Sequence, residues 1–166
     1  ECAKVVKMRF FAGLSIEEAR RNCWLYDPVA GTWSAAGLMN TPRRRHSLTL
    51  LPDGRVLAVG GLTTGVARTT STEIYDPAAN TWTPALNTTV AWNLHFAVLL
   101  RNGRVLVAGG DAPTAPERRR TEIYDPVAGT WSLAGDMAVD RGIASGTLLA
   151  DGRVLAAGGN AVSTAE

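Results

Sequence analysis

The two histidines of this 166-residue chain are the residues best suited to metal or acid–base chemistry. His46 and His95 are 49 residues apart, and Ser47 follows the first of them directly. Imidazole nitrogen binds metals and carries protons near neutral pH. A metal centre would need further ligands, however, and a nucleophilic serine would need a base that a third group holds in place.

Those additional groups are not visible in the sequence. Cys2 and Cys23 lie in different contexts and form no CxxC or Cys/His cluster, so we expect free thiols and no zinc site. The three tyrosines all fall at repeated positions, which leaves none as a spare ligand. The sequence therefore predicts no catalytic residue, no metal site and no cofactor.

Arginine and tryptophan supply the candidates for binding. Two arginine runs occur, at 43–45 and 118–120, and Trp92 precedes His95 by three residues. Arginine forks recognise carboxylates and phosphates, and both residue types anchor interfaces. Such runs also occur as solvated strand ends, and Trp92 could equally fill a gap between structural units. The candidate binding residues are Arg43, Arg44, Arg45, His46, Trp92, His95, Arg118, Arg119 and Arg120.

An internal repeat must position these residues. Tyrosine, tryptophan and a glycine pair each recur at intervals of 49 residues. Periods of roughly 20 to 50 residues are typical of solenoids, propellers and arrays, whose units bury their core only against neighbours. The repeated positions are Tyr26, Tyr75 and Tyr124; Trp33, Trp82 and Trp131; and Gly60-Gly61, Gly109-Gly110 and Gly158-Gly159.

Each complete repeat predicts four strands in two hairpins. An apolar run leads to a turn, Pro-Asp-Gly in the first repeat and Asn-Gly in the second; a second strand then ends at the glycine pair, and a polar loop precedes the second hairpin. Gly31, Asn80 and Gly129 share a turn position that suits a left-handed backbone. In the first complete repeat the predicted strands are 46–51, 55–59, 72–75 and 81–83.

Residues 23–162 resemble the Kelch family of β-propellers. The resemblance rests on the glycine pair after the second strand, the tyrosine of Glu73-Ile74-Tyr75-Asp76-Pro77, and the tryptophan of the fourth strand. It implies that one repeat is one blade, that the first strand lies innermost around a channel, and that Tyr and Trp pack beside the glycines. The implied framework residues are Gly60, Gly61, Tyr75, Trp82, Gly109, Gly110, Tyr124, Trp131, Gly158 and Gly159.

Strand counting predicts an all-β propeller fragment with two full blades and two half-blades. The full blades are 42–86 and 91–135, and the partial ones are 23–36 and 141–160. These amount to about three blades, whereas propellers close with roughly 4 to 8. We therefore expect the remainder of a larger propeller or a homo-oligomer.

Residues 1–22 form a separate segment before the propeller segment, 23–166. Val5, Met8 and Phe11 follow a helical spacing, and Ser15 with Glu18 matches a capping box that opens a second helix. The sequence from Val6 to Ala19 resembles the start of region 4 of extracytoplasmic-function sigma factors, which implies recognition of promoter DNA. The resemblance ends near Arg20, before the helix that would contact bases.

Charge and hydropathy narrow the partners. The net charge of +2 comes from residues 1–22, here called the leader, so the propeller segment has no net positive charge that would attract nucleic acid. No 18-residue apolar run occurs, so we expect a soluble chain without membrane contact, either cytoplasmic or secreted.

The functional prediction follows from what varies between repeats. The framework recurs while the loops at 62–68 and 111–117 diverge, and loops on a rigid scaffold commonly carry binding. The sequence predicts a non-catalytic binding or scaffolding module that binds a protein or glycan. One alternative is a fragment of an enzyme like galactose oxidase, which is built on a Kelch-type propeller and holds copper with Tyr and His. The other is a sigma-factor-derived DNA-binding remnant.

Overall fold

In the computed structural model of the chain, residues 5–6 and 21–160 are described, and they form four antiparallel sheets. The first partial blade contains β1 (Val5–Val6), β2 (Cys23–Asp27) and β3 (Thr32–Ala36). The first full blade contains β4 (Ser47–Leu50), β5 (Val56–Val59), β6 (Thr72–Asp76) and β7 (Thr81–Ala85). The second full blade contains β8 (Phe96–Leu99), β9 (Val105–Ala108), β10 (Thr121–Asp125) and β11 (Thr130–Leu133). The last partial blade contains β12 (Gly142–Leu148) and β13 (Val154–Asn160).

Within each full blade the strands lie side by side in chain order. Two short helical segments interrupt the loops, a 3-10 turn at Thr64–Val66 and α1 at Ala115–Arg119. The predicted strands agree with the observed ones to within about two residues. The all-β, propeller-type arrangement of two full and two partial blades is therefore confirmed.

The turns form where the sequence predicts them. Asn80 adopts φ 54°, and Gly31 and Gly129 adopt 67° and 69° at the same repeat position. Asparagine and glycine occupy the left-handed region at the least cost, which explains why these types recur there. The second hairpin of each blade is closed in this way.

Each full blade holds a tyrosine–tryptophan pair that links it to the preceding chain. The rings of Tyr75 and Trp82 lie 5.1 Å apart, and both residues are buried. The Trp82 indole donates a hydrogen bond to the Gly37 carbonyl at 3.0 Å, and Trp131 donates likewise to Leu86 at 2.8 Å. Because those carbonyls lie in the connection from the preceding blade, the aromatic pair joins neighbouring blades.

The glycine pairs allow close approach of backbone. A Cβ on Gly60 would meet the Trp92 carbonyl oxygen at 2.6 Å, and one on Gly61 would meet the Arg44 oxygen at 2.7 Å. The pair therefore faces the segments that lead into the innermost strands of its own blade and of the next blade.

The leader differs from the prediction where it is described. Val5–Val6 is a strand that pairs antiparallel with β2, opposite Tyr26 and Leu25, and the predicted helix is wrong at these two residues. The free edge of β2 offers unpaired backbone groups, and these outweigh a helical pattern. The predicted second helix at Ser15 and Glu18 lies outside the described residues.

Candidate functional site

The connections fall on two opposite faces of the array. The loop face is formed by the segments leading into the innermost strands (37–46, 86–95 and 134–141) and by the loops after the glycine pairs (60–71 and 109–120). The turn face is formed by the tight turns that close the hairpins. All nine candidate binding residues belong to loop-face segments.

Arg43 is a buried framework residue and not a surface contact. Its side chain is fully buried and forms an ion pair with Glu73, with Nη2 and Oε1 2.7 Å apart. It also donates hydrogen bonds to the carbonyls of Gly60 and Ser71, at 2.7 and 3.0 Å. All these contacts hold the lead-in segment against its own blade, so the Arg43 side chain is not exposed in this structure.

The partner carboxylate is fully engaged. Glu73 accepts hydrogen bonds from the backbone N–H groups of Asn40 and Thr41, at 2.7 and 2.9 Å. Burial alone would raise the pKa of Glu73, but the Arg43 guanidinium and these N–H groups outweigh it and lower the pKa. Glu73 is therefore ionised in the fold.

Trp92 occupies in the second blade the position that Arg43 occupies in the first. It is fully buried, and its carbonyl accepts a hydrogen bond from Gly61 N at 2.7 Å. Trp92 therefore fills the gap between neighbouring blades and is not exposed in this structure. The sequence contained a signal for this role, since Arg43, Trp92 and Arg141 occupy the same position in successive repeats. Arg141 donates a hydrogen bond to the Gly158 carbonyl, as Arg43 does to the Gly60 carbonyl.

A serine–histidine contact joins the two full blades. Ser47 Oγ and His95 Nε2 lie 2.7 Å apart, a pairing that the sequence analysis missed. The two residues are 48 positions apart, one fewer than the repeat length, so Ser47 of one blade meets the residue of the next blade that corresponds to His46.

Both histidines are neutral near pH 7. Burial, followed by repulsion from His46 once acid has protonated it, lowers the pKa of His95 to about 3. Burial, followed by the positive charge of Arg43, lowers the pKa of His46 to about 4. Neither Nδ1 atom has a hydrogen-bond partner in the described part of the chain. Among the described residues, an imidazolium at His95 would therefore have no acceptor at Nδ1, the third group that holds the base in a serine–histidine arrangement.

The remaining chemically reactive groups lie in framework positions. Cys23 is buried, and burial raises the pKa of its thiol to about 11. Within residues 5–6 and 21–160, no group of three or more His, Cys, Asp or Glu side chains could hold a metal ion.

The second arginine run is anchored by a helix on the loop face. Thr114 and Glu117 form a capping box for α1, with 2.9 Å between Thr114 N and Glu117 Oε2. Arg118 and Arg119 reach the Asp140 carboxylate at 3.4 and 3.6 Å. Arg118 is largely covered, whereas about half of the Arg119 side chain remains exposed.

The remaining candidates differ in exposure. Arg45 is exposed, and Arg44 and Arg120 are half-buried. A separate ion pair, Arg68 with Asp111 at 2.6 Å, joins the long loops of the two full blades. The loop face therefore presents exposed cations on loops that contact one another.

The turn face has a cleft that sequence reasoning did not find. It measures about 370 Å³ and lies between turns of the two full blades. Arg104 and Asp125 pair across part of it at 2.9 Å. Its lining residues are Pro52, Asp53, Asn102, Gly103, Arg104, Asp125, Pro126 and Val127.

A family model described as the Kelch motif matches residues 43–85 and 94–138, which together make up over half of the chain. The chain belongs to the Kelch-repeat family. The two matched Kelch repeats correspond to the two full blades, and Kelch repeats are typically protein-binding modules. No curated protein matches the chain. Among the described residues, no helix is long and apolar enough to cross a membrane.

Proposed function

We propose that this Kelch-repeat chain is a non-catalytic binding or scaffolding module whose loop face binds a protein. The observation that carries the proposal is that neighbouring arginines of one run differ in burial and in ion pairing. Arg43 is consumed by the buried pair with Glu73, whereas Arg45 is exposed on a segment that differs in every repeat. Side chains that the framework does not use are free to contact a partner.

Arginine on a rigid loop is suited to this role. Arginine is enriched at the energetic centres of protein interfaces, and Arg45 and Arg119 are both exposed residues on the loop face. The Arg68–Asp111 pair and the α1 capping box limit the motion of the surrounding loops. A preordered surface loses less conformational entropy on binding. A glycan is the weaker candidate, because Trp92, the loop-face aromatic that could stack on a sugar ring, is buried.

The oxidase and DNA-binding alternatives receive less support. A copper site like that of galactose oxidase would require ligands from outside the described residues. The segment that resembles a sigma factor falls mostly among residues whose placement is not described, and a salt-dependent mobility shift with promoter DNA tests it directly.

Affinity capture with matched variants tests the proposal. The full chain would be immobilised as wild type, as the loop-face variant Arg45→Glu/Arg119→Glu, and as the turn-face control Arg55→Glu. We expect a protein from a lysate of the encoding organism that the wild type and the control retain and the loop-face variant loses. Equal retention by the loop-face variant, or loss in the control alone, would contradict a loop-face interface.

A further inference from the structure

One backbone position is strained in three consecutive repeats. Arg45, Leu94 and Ile143 adopt φ values of 58°, 57° and 59° and are spaced 49 residues apart. The left-handed region is unfavourable for residues with a Cβ, and a β-branched residue there is an outlier. Residues held in such conformations concentrate at functional sites, so an observed outlier is a reason to look for a function.

The fold imposes this conformation through the glycine pairs. The carbonyl oxygen before each strained residue would clash with a Cβ added to the second glycine of the pair. That Cβ would lie 2.7 Å from Arg44 O at Gly61, 2.5 Å from Asn93 O at Gly110, and 2.6 Å from Gly142 O at Gly159. Since the backbone geometry is fixed by this packing, glycine is the residue that positions 45, 94 and 143 favour. The chain instead carries three different large side chains there.

Two of the strained residues are in contact on the loop face, and the third, Ile143, occupies the same repeat position at the start of β12. Leu94 N donates a hydrogen bond to the Arg45 carbonyl at 3.1 Å, so the first two members are in direct contact. Arg45 is exposed, Ile143 is 58% exposed, and Leu94 is half-buried. Within the described ranges, Arg45 forms no ion pair. These side chains therefore contribute little to the packing of the blades.

We propose that Arg45, Leu94 and Ile143 determine the specificity of the loop face, and that they bind a protein segment that places a carboxylate beside aliphatic side chains. The inference rests on the proposed function and deepens it. An unpaired guanidinium is complementary to a carboxylate, and neighbouring aliphatic side chains bury apolar surface of the same segment. The backbone strain at all three positions is then explained by side-chain contacts with the partner, which glycine could not make.

A displayed library of random dodecapeptides, selected on the full chain, tests the inference. We expect enrichment of sequences with Asp or Glu next to Leu, Ile or Val. A synthetic peptide of the enriched sequence should bind the Arg45→Gly/Leu94→Gly/Ile143→Gly variant at least tenfold more weakly than the wild type. The same variant should melt at an equal or higher temperature, because glycine relieves the strain. Replacing the peptide's carboxylate by its amide should weaken binding to the wild type and leave binding to Arg45→Gly unchanged.

Three outcomes would overturn the inference. Enriched peptides without a carboxylate would overturn the assigned chemistry. Peptides that bind the triple-glycine variant normally but lose affinity for Arg119→Glu would overturn the assignment of these three residues and leave the proposed function intact. A selection that yields no peptide able to bind the wild type, or only ligands that compete with DNA, would count against both the inference and the proposed function.

Discussion

Arg43 and Glu73 form an ion pair that is buried on both sides, with 2.7 Å between Nη2 and Oε1. Arg43 lies in the segment leading into β4, and Glu73 lies in β6, so the pair spans the first full blade from its inner lead-in to its third strand. Further hydrogen bonds, donated by Arg43 to the Gly60 carbonyl and accepted by Glu73 from Asn40 N, offset part of the cost of burying the two charges. The pair therefore fixes the position of the loop that carries Arg45.

Removal of one partner should be strongly destabilising. We expect Arg43→Ala to lower the free energy of unfolding by about 3–5 kcal/mol, because it leaves the Glu73 carboxylate buried and unpaired. Urea unfolding followed by circular dichroism measures the change. The control is Arg55→Ala, which breaks an exposed pair with Asp53 and should cost less than about 1 kcal/mol. Equal losses in the two variants would contradict a structural role for Arg43.

The histidines should make the fold sensitive to mild acid. The pKa values of His46 and His95 fall to about 4 and about 3 in the fold, from a usual 6.5. The unfolded chain therefore binds more protons below about pH 6.5, and the stability that is complete above that pH is lost as the pH falls. At pH 5 the loss should be roughly 2 kcal/mol per histidine.

Urea unfolding at pH 7 and pH 5 tests this expectation. The double variant His46→Gln/His95→Gln should show a much flatter dependence, since glutamine does not titrate. The lowered pKa of Glu73 acts in the same direction, but its effect develops mainly as the pH falls through the usual carboxyl range and below, so most of the change between pH 7 and pH 5 belongs to the histidines. An unchanged slope in the double variant would exclude the histidines as its cause.

Two tryptophans at the same repeat position should differ in importance. Trp82 is 6% exposed and Trp33 is 37% exposed, although each contacts the tyrosine of its own blade. We expect Trp82→Ala to cost about 3–5 kcal/mol and Trp33→Ala distinctly less, because only the former opens a cavity in a closed core. Thermal melting of both variants provides the comparison. An unchanged melting curve for Trp82→Ala would contradict the packing of this pair.

The sequence predicts the framework well because its signals are local and repeated. Tyr75, Trp82 and the glycine pair at Gly60 follow one period, and each packs within its blade or against the adjacent one. The candidate site is predicted less well. An arginine run looks solvated until Arg43 meets Glu73, 30 residues away in the chain, and that pairing depends on the folded blade.

Contacts between blades were the harder part to predict. Trp92 becomes buried only because Gly60 of the preceding blade leaves room for it. Ser47 meets His95 only when two blades pack side by side. Val5 follows a helical spacing, yet the open edge of β2 supplies hydrogen-bond partners that a local pattern does not reveal.

Copper chemistry should be absent from the purified chain. His46 and His95 are the two imidazoles available, and both are substantially buried, one of them engaged with Ser47. After dialysis, elemental analysis should find no stoichiometric copper, and primary alcohols should not be oxidised. Tight binding of one copper per chain that is lost in His46→Ala would instead favour the oxidase alternative.

The two partial blades are complementary pieces of one sheet. In the described part of the chain, β13 pairs with β12 alone, and Leu155 is 49% exposed where its repeat equivalent Leu57 is fully buried. The first partial blade contributes β2 and β3, and the inner edge of β2 is covered only by the two residues of β1. Exposed strand edges favour pairing with another chain.

We therefore expect these 166 residues, studied in isolation, to form a dimer of about six blades or to aggregate. By analogy with Leu57 opposite Ile74, β13 of one copy should pair with β2 of the other and place Leu155 opposite Leu25. Directly opposed strand residues are close enough for a disulfide. In a Cys2→Ser/Cys23→Ser background, Leu155→Cys with Leu25→Cys should give a covalent dimer on oxidation, and the off-register pair Leu155→Cys with Trp24→Cys should not. Light scattering that finds a stable, monodisperse monomer at tens of micromolar would refute the pairing and indicate that β1 is sufficient to protect the edge.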